Sequence, residues 1–233
     1  MLTDAMEDYL KTIYVLQRET GPPVSTSAIA DRMGKTPPTV TSMVGKLADR
    51  GFVEREKYKG VELTPEGETV ALEVIRHHRL LEAYLTEHLD YSWSEVHDEA
   101  DALEHHISEE FERRLAAALD DPTVDPHGDP IPGADLKPVD DDSEVLFDHE
   151  VGDRVVVARV SDRDETELEY LDEAGIRPGT ELVVVDVAPF GMVTVRIVGR
   201  DGEQSLPEDV ARTIRVRTVA DESTEPETEV SGP

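Results

Sequence analysis

The sequence predicts an α+β protein with a helical N-terminal half and a β-rich C-terminal part. Three observations carry this prediction. Apolar residues recur at helical spacing through most of the first 120 residues, which indicates amphipathic helices. Residues 120–148 are rich in Pro, Gly and Asp, which is typical of a connecting segment. After them, short runs of Val, Leu and Ile are separated by glycine turns, which favours a small antiparallel barrel.

The first 64 residues predict three short helices followed by a hairpin. Helices are predicted over residues 4–19, from near Ser25 to Gly34, and from Thr36 to about Arg50. Pro37 suits the first position of the third helix, where a missing N–H costs nothing. The segment GFVEREKYKGVELT predicts a hairpin that turns at Lys59-Gly60. This order is that of a winged helix-turn-helix, so residues 1–64 are predicted to be a DNA-binding domain, called the head below.

Residues 65–120 predict a helical domain made of two long helices. The first begins after the cap residue Thr64 and covers PEGETVALEVIRHHRLLEAYLTEHL. The second covers SWSEVHDEADALEHHISEEFERRLAAAL as one continuous helix. Both carry an apolar stripe, which after a DNA-binding head is typical of a dimer interface. An intramolecular core is the alternative.

The remaining residues predict a connection, a barrel and a tail. Residues 121–149 are predicted to be a linker, and residues 150–219 a small barrel. In that interpretation DGEQSLPEDVARTIRVRTV is one of the β-rich runs. Residues 220–233 are polar and contain proline, so we expect them to be disordered.

The charge of the chain is large and unevenly distributed. The net charge is −30, and only a minority of the basic residues are lysines. Such a chain would repel itself at low salt, which indicates a cytosol of concentrated salt and favours a halophilic archaeon. Residues 1–63 hold equal numbers of acids and bases, so the rest of the chain carries the whole negative charge. The neutral head is therefore relatively positive, which indicates an anionic partner there.

Several classes of function are disfavoured by what the sequence lacks. The chain has no Cys, which excludes disulfides and thiolate metal ligands. It has no apolar stretch of about 18 residues and no secretory signal pattern, so we expect a cytoplasmic protein without membrane insertion. It also lacks a His-Glu-x-x-His motif, a glycine-rich phosphate loop and a Gly-x-Ser-x-Gly elbow, so we expect no enzyme.

The segment EVHDEADALEHH, residues 95–106, concentrates histidines and carboxylates. On a continuous helix four of these side chains would share one face: His97, Asp101, Glu104 and His105. On the preceding helix His78 and Glu82 form an i, i+4 pair. Nitrogen and oxygen ligands without sulfur favour an ion such as Mn(II) or Fe(II). In so acidic a chain, however, a solvated acidic surface is the alternative.

These segments resemble the diphtheria toxin repressor family of metal-dependent transcriptional regulators. The matching segments are EDYLKTIYVL, TPPTVTSMVGKLADRGFV, LTPEGE, HHRLLEAYL, VHDEADALEHHISEEFERRL, GDPIPG, AGIRPGTEL and LPEDVARTIRV. The resemblance implies a winged-helix head, a helical dimerisation domain and an SH3-like barrel. It also implies a repressor that binds a palindromic operator as a homodimer when loaded with Mn(II) or Fe(II), and that controls metal homeostasis genes.

The same resemblance implies two metal sites per subunit. The first would use Asp8, Asp101, Glu104 and His105. The second would use His78, Glu82 and His97, together with Asp164 and Glu167 from the barrel. Iron-type members commonly have Met at the position of Asp8 and Cys at that of Asp101. Manganese-type members have a carboxylate at the first position, but usually Glu in place of Lys11 and no barrel, so the sequence favours Mn(II) and leaves Fe(II) open.

The resemblance also implies which residues contact DNA. The third helix begins with the expected base-reading positions Thr36, Pro38, Thr39 and Ser42. Lys46, Lys57 and Lys59 are the expected phosphate contacts. Helix capping is the alternative role for Thr36, and solvated surface charge is the alternative for the lysines.

Two other functions remain open on the sequence alone. One is a metal-independent winged-helix regulator that responds to a small ligand. The other is a metalloenzyme with a DNA-binding head, although the sequence shows no general base beyond the expected ligands.

Overall fold

The protein is described by a computed structural model that covers residues 2–56, 59–189 and 191–219. The chain divides into two compact units, residues 1–141 and 142–233. Helices make up most of the first unit and an antiparallel sheet organises the second, so the predicted α+β class is confirmed. The predicted tail, 220–233, lies outside the described residues. Within the described part, every helix is too short or too polar to cross a membrane.

The head has the predicted order of elements. These are α1 Asp4–Thr20, α2 Thr26–Met33, α3 Pro37–Asp49, β1 Val53–Glu56 and β2 Gly60–Leu63. Ser25 caps α2 by accepting a hydrogen bond from the Ala28 N–H, and Gly34 ends α2 in the left-handed conformation. Gly60, one of the two residues predicted for the hairpin turn, instead pairs with Glu56 as the first residue of β2.

One face of α1 forms the centre of the head's core. Leu10 and Ile13 are fully buried, and they pack with Ile29 of α2, Val44 of α3 and the two strands. Ala71 of the following helix belongs to the same cluster, so α1 also packs against the helical domain. Polar side chains on the opposite side of α1 contact polar side chains of the same domain.

The helical domain contains three helices, not two. They are α4 Pro65–His88, α5 Val96–Leu103 and α6 Glu109–Ala118. The prediction of one continuous helix over residues 92–119 is therefore wrong. Ser108 starts a new helix by accepting a hydrogen bond from the Phe111 N–H, and three glutamates follow in the first turn, where the helix dipole favours acids.

The spacing of apolar residues gave no indication of the break between α5 and α6. Val96 and Ala100 are buried in the domain core, but Phe111 is 47% exposed, so the stripe does not continue into α6 as one face. The backbone between α5 and α6 turns instead, and Glu104 and His105 lie in that turn.

The second unit is a six-stranded sheet with two helices. Its elements are β3 Glu144–Val145, a 3-10 turn Leu146–Asp148, β4 Arg154–Val160, α7 Glu165–Ala174, β5 Glu181–Ala188, β6 Met192–Ile197, β7 Gln204–Pro207, α8 Glu208–Thr213 and β8 Ile214–Thr218. The strand order is β3-β8-β4-β5-β6-β7, and every pair is antiparallel. The sheet bends at irregular pairing between Val157 and Arg159 and between Val184 and Asp186.

The helices of this unit correct the interpretation of one predicted β run. The segment from Gln204 to Thr218 is a strand, a short helix and a strand, because Pro207 ends the ladder and α8 follows with Ala211 buried. The other helix of this unit, α7, has local sequence signals at both ends: Asp164 caps its start, and Gly175 ends it in the left-handed conformation.

The core position of α1 gives a first prediction. Replacement of the fully buried Leu10 by Ala removes packing and leaves a cavity, so the free energy of unfolding should fall by about 2–5 kcal/mol. Urea unfolding in concentrated KCl, followed by circular dichroism, measures this change. The control Leu89→Ala lies at a side chain that is 54% exposed, and its effect should stay within about 0.5 kcal/mol. Equal effects of both changes would contradict the assigned core.

Candidate metal centre and DNA-facing helix

Three elements of the first unit bring ionisable side chains together. Helix α1 contributes Glu7, Asp8 and Lys11, which helical spacing puts on one side of the helix. Helix α4 contributes His78 and Glu82 one turn apart. Helix α5 and the turn after it contribute the third set: His97, Asp101, Glu104 and His105.

The first group joins the head to the helical domain. Its members are Asp8, Glu104 and His105, whose ligand atoms all lie within 4.8 Å of one another. His105 Nε2 is 2.8 Å from Asp8 Oδ1 and 3.5 Å from Glu104 Oε1. His105 Nδ1 is 2.8 Å from Glu7 Oε2. The ring therefore lies between two carboxylates of α1 and one of its own domain.

The charges of this group shift two pKa values. Burial lowers the pKa of His105, but Glu7, Glu104 and Asp8 outweigh burial and raise it above its ordinary value. Burial raises the pKa of Asp8 against the opposing effect of His105. The group thus holds an imidazole among carboxylates in partly buried surroundings, which is a set of donors suited to a divalent cation.

Asp101 lies in a different group from the one expected. Its Oδ1 is 3.2 Å from His78 Nδ1, and Asp101, His78 and Glu104 form a second cluster of possible ligands. His97 and Asp101 share one face of α5, and Asp101 and Glu104 converge on the same partners. The expectation that His105 continues this face is wrong, because α5 ends at Leu103. Past that point the backbone turns and directs the His105 ring toward α1.

The ammonium group of Lys11 lies inside this second cluster. Lys11 Nζ is 2.8 Å from Glu104 Oε2, 3.1 Å from Asp101 Oδ1 and 3.1 Å from His78 Nδ1. Burial lowers the pKa of Lys11, but Glu104 and Asp101 outweigh burial and raise it. Burial raises the pKa of Asp101, but His78 and Lys11 outweigh burial and hold this pKa well below its usual range.

The third group contains the expected ligands of the second site in this unit. His78 Nε2 is 3.0 Å from Glu82 Oε1 and 3.1 Å from His97 Nδ1. His97 Nδ1 is 3.3 Å from the same Glu82 oxygen. Glu82 is fully buried. Burial lowers the pKa of His78, but the Glu82 carboxylate outweighs burial and raises it well above the usual range. Burial raises the pKa of Glu82, but His78 outweighs burial and lowers it well below the usual range.

A fourth group was missed by sequence reasoning. Glu82, Asp125 and His127 are all buried, and their ligand atoms lie within 4.8 Å of one another. His127 Nε2 is 2.8 Å from the Trp93 carbonyl oxygen, and the His127 ring stacks on the indole. Burial, Glu82 and Asp129 raise the pKa of Asp125 well above its ordinary value. Asp125 and His127 were missed as candidate ligands because the Pro- and Gly-rich segment that holds them was interpreted as a linker.

Two arginines of α4 fix that segment in place. Arg79 donates to the Pro130 carbonyl and to Asp129 Oδ1 at 3.1 Å, and Arg76 donates to the Pro132 carbonyl at 2.6 Å. Such charge-assisted bonds are stronger than neutral ones. The part of the predicted linker around Asp129 is therefore attached to α4 rather than loose.

His77 supports the turn that carries the ligands. Its Nδ1 donates to the Glu104 backbone carbonyl at 3.2 Å. Glu104 itself is 1% exposed, so both its backbone and its carboxylate are held by neighbouring residues. Sequence reasoning left His77 and Glu7 out of the sites, because neither contributes to the histidine pattern of α5.

The remaining expected ligands belong to the second unit. Asp164 is exposed and accepts hydrogen bonds from the N–H groups of Thr166 and Glu167 as the cap of α7. Burial and the neighbouring Asp164 raise the pKa of the half-buried Glu167.

The expected DNA-contacting residues lie on an exposed surface of the head. Thr36, Pro38, Thr39, Ser42 and Lys46 are all exposed on or just before α3, while Val40, Val44 and Leu47 of the same helix are buried. Thr36 Oγ1 is 2.9 Å from Thr39 Oγ1 and makes no side-chain cap, contrary to its simplest alternative role. Lys59 is exposed, and Lys57 lies outside the described residues.

Family models match both units of the chain. Residues 1–61 match the iron dependent repressor N-terminal DNA binding domain, and residues 64–133 match the iron dependent repressor metal binding and dimerisation domain. Residues 145–218 match the FeoA domain. The predicted organisation into a winged-helix head, a helical dimerisation domain and an SH3-like domain is therefore confirmed.

Individual relatives match over nearly the whole chain. The diphtheria toxin repressor of Corynebacterium efficiens is 36% identical over 94% of this chain and 97% of its own length. The iron-dependent repressor IdeR of Mycobacterium tuberculosis is 34% identical over 94% and 99%. A solved manganese-dependent transcriptional repressor in complex with manganese is 39% identical and covers 92% of this chain and 100% of its own, with a TM-score of 0.86. The chain thus belongs to the diphtheria toxin repressor family of metal-dependent transcriptional repressors.

Proposed function

We propose that the chain binds a palindromic operator as a homodimer when Mn(II) or Fe(II) occupies two sites in each subunit. The regulated genes would be those of metal homeostasis. One observation carries the proposal: Asp8 of the head meets Glu104 and His105 of the helical domain within the reach of one ion. The first site would comprise these three residues and Asp101, and the second His78, Glu82 and His97 with Asp164 and Glu167.

The position of Asp8 explains how ligand binding can reach the DNA-binding surface. Asp8 lies on α1, whose buried face packs against α2 and α3. A bound dication would hold Asp8, Glu104 and His105 together by bonds to their oxygen and nitrogen atoms. Because α1 then keeps one position relative to α5, α3 keeps one orientation as well. Such an ion shifts the equilibrium only if it binds this arrangement more tightly than others.

The exposed face of α3 suits the reading of a duplex. Its first turns present hydroxyl groups and a proline, and Lys46 lies in its last turn. In helix-turn-helix dimers two such helices enter the major groove about one helical turn apart, so the operator is palindromic. The helical domain would form the dimer, and the exposed Phe111 side chain on α6 is available for such an interface.

The donor atoms support Mn(II) and leave Fe(II) as the other candidate. All proposed ligands are carboxylates or imidazoles, and the chain has no Cys. Relatives include repressors named iron-dependent and manganese-dependent. The ionisable residues in these groups all serve as proposed ligands or as partners of ligands, which supports a regulator rather than an enzyme. A cytoplasmic location follows from that role.

Removal of metal gives a direct test of the proposal. Operator binding is measured by fluorescence anisotropy in concentrated KCl with EDTA, Mn(II), Fe(II) or Zn(II), on a palindrome selected from random duplexes. Mn(II) or Fe(II) should raise the affinity over EDTA about 5- to 150-fold, the usual range for coupled sites. Equal affinity in EDTA would contradict the proposal and favour the alternative, a metal-independent regulator that responds to a small ligand.

His105→Ala tests the connection between the two domains. The change removes the ring that lies 2.8 Å from Asp8, so the metal-dependent gain in operator affinity should disappear while sedimentation still shows a dimer. The exposed neighbour His106 provides a matched control, and His106→Ala should keep the metal response. A normal metal response in His105→Ala would show that the ligand set is wrong.

Two substitutions on α3 separate base reading from phosphate contact. Ser42→Ala should reduce operator affinity about 5- to 150-fold relative to a scrambled duplex, because one good base contact provides about 1–3 kcal/mol of discrimination. Lys46→Ala should weaken binding to both duplexes equally and reduce the slope of log affinity against log salt by about 1. Anisotropy titrations at several salt concentrations measure both. The assignment fails if Ser42→Ala weakens both duplexes alike.

A further inference from the structure

The ammonium group of Lys11 occupies a set of side chains that could otherwise bind a metal ion. His78, Asp101 and Glu104, called the Lys11 group below, place three ligand atoms within 4.8 Å of one another. Lys11 Nζ lies within 3.1 Å of all three residues. We propose that Lys11 is a resident cation that fills this group and prevents an additional metal ion from binding there.

The geometry around the ammonium group fits this role. An ammonium carries only N–H donors, and the Lys11 group offers it two carboxylate acceptors, Asp101 Oδ1 and Glu104 Oε2. His78 Nδ1 lies 3.1 Å from Lys11 Nζ and itself donates to Glu104 Oε2 at 2.6 Å. The two distances to carboxylates, 3.1 and 2.8 Å, are those of charge-assisted hydrogen bonds or close to them. A dication bound by the same atoms would have to lie against the positive nitrogen, which electrostatic repulsion opposes.

Burial makes the contact stronger than an ordinary surface ion pair. The Lys11 side chain is 21% exposed and that of Glu104 is 1% exposed, while His78 is 3% exposed. Water therefore screens these charges poorly, and even concentrated salt reaches them less than it reaches surface pairs. A lysine held in this way is a fixed component of the site, since displacing it would leave Glu104 and Asp101 with His78 as their nearest cation.

The position of Glu104 determines the effect on the neighbouring metal site. Its Oε2 faces Lys11 and His78, while its Oε1 is 3.5 Å from His105 Nε2 in the first group. Lys11 contacts one oxygen of Glu104 and one of Asp101, which leaves Glu104 Oε1 and Asp101 Oδ2 for other partners, including an ion beside Asp8 and His105. Both Lys11 and Asp8 lie on α1, so the ion pairs of Lys11 connect the head to the helical domain beside the proposed metal site.

This inference rests on one part of the proposed function, namely that a metal ion binds next to Lys11. It predicts a difference in stoichiometry between variants, whereas the proposed function predicts the metal response of the unmodified chain. A chain that binds the operator equally well in EDTA would refute the proposed function. The number of ions gained when Lys11 is replaced would still decide the role of Lys11.

The test is the Mn(II) stoichiometry of full-length Lys11→Glu in concentrated KCl, measured by equilibrium dialysis and metal analysis. The change replaces the cation by a fourth ligand, so the variant should bind an additional Mn(II) ion per subunit relative to the unmodified chain. Because Glu104 belongs to both groups, the electron paramagnetic resonance spectrum should also broaden through coupling between neighbouring ions. Lys137→Glu makes the same charge change at a side chain that is 77% exposed, and it should gain no ion.

Lys11→Met is the second variant and keeps the test valid if Lys11→Glu does not fold. It retains an apolar side chain of similar length but removes the charge, so it should gain the additional Mn(II) ion with lower affinity than Lys11→Glu. An unchanged stoichiometry and an unchanged spectrum in the folded variants would overturn the inference. A gain of the same size in Lys137→Glu would also overturn it, because the gain would then reflect net charge alone.

Discussion

The buried carboxylate of Glu104 is the interaction on which the arrangement of the first unit depends. One of its oxygens contacts Lys11 of α1 and His78 of α4, and the other faces His105. A buried carboxylate is costly unless cations and hydrogen-bond donors surround it. The head, α4 and the turn after α5 must therefore meet at this point, and Asp8 arrives there because it shares one side of α1 with Lys11.

The break between α5 and α6 makes this meeting possible. On a continuous helix, Glu104 and His105 would have continued the line of His97 and Asp101. The Ser108 cap and the glutamates after it start a new helix instead, so the backbone turns and the His105 ring points toward α1. The carboxylates of the region are thereby divided between a lysine and the proposed metal site.

Much of the fold and part of the site could be predicted from the sequence. Helical spacing and the glycine at position 34 identified the helices of the head, and the cap residue Thr64 marked the start of α4, because such signals are local. The break before Ser108 was missed because its apolar stripe suggested continuity, and α7 and α8 were missed among β-rich runs. The positions of Lys11, Glu7 and His127 depend on contacts between residues far apart in the chain, and no local pattern reports such contacts.

Hydrogen exchange of the α1 backbone amides, with and without Mn(II) in concentrated KCl, tests the central claim most directly. The claim is that an ion at Asp8, Glu104 and His105 fixes α1 on the helical domain. If it is right, Mn(II) slows exchange in α1 as well as in α4 and α5, because local opening of the head then requires loss of the ion. Protection confined to α4 and α5, with unchanged exchange in α1, would contradict it.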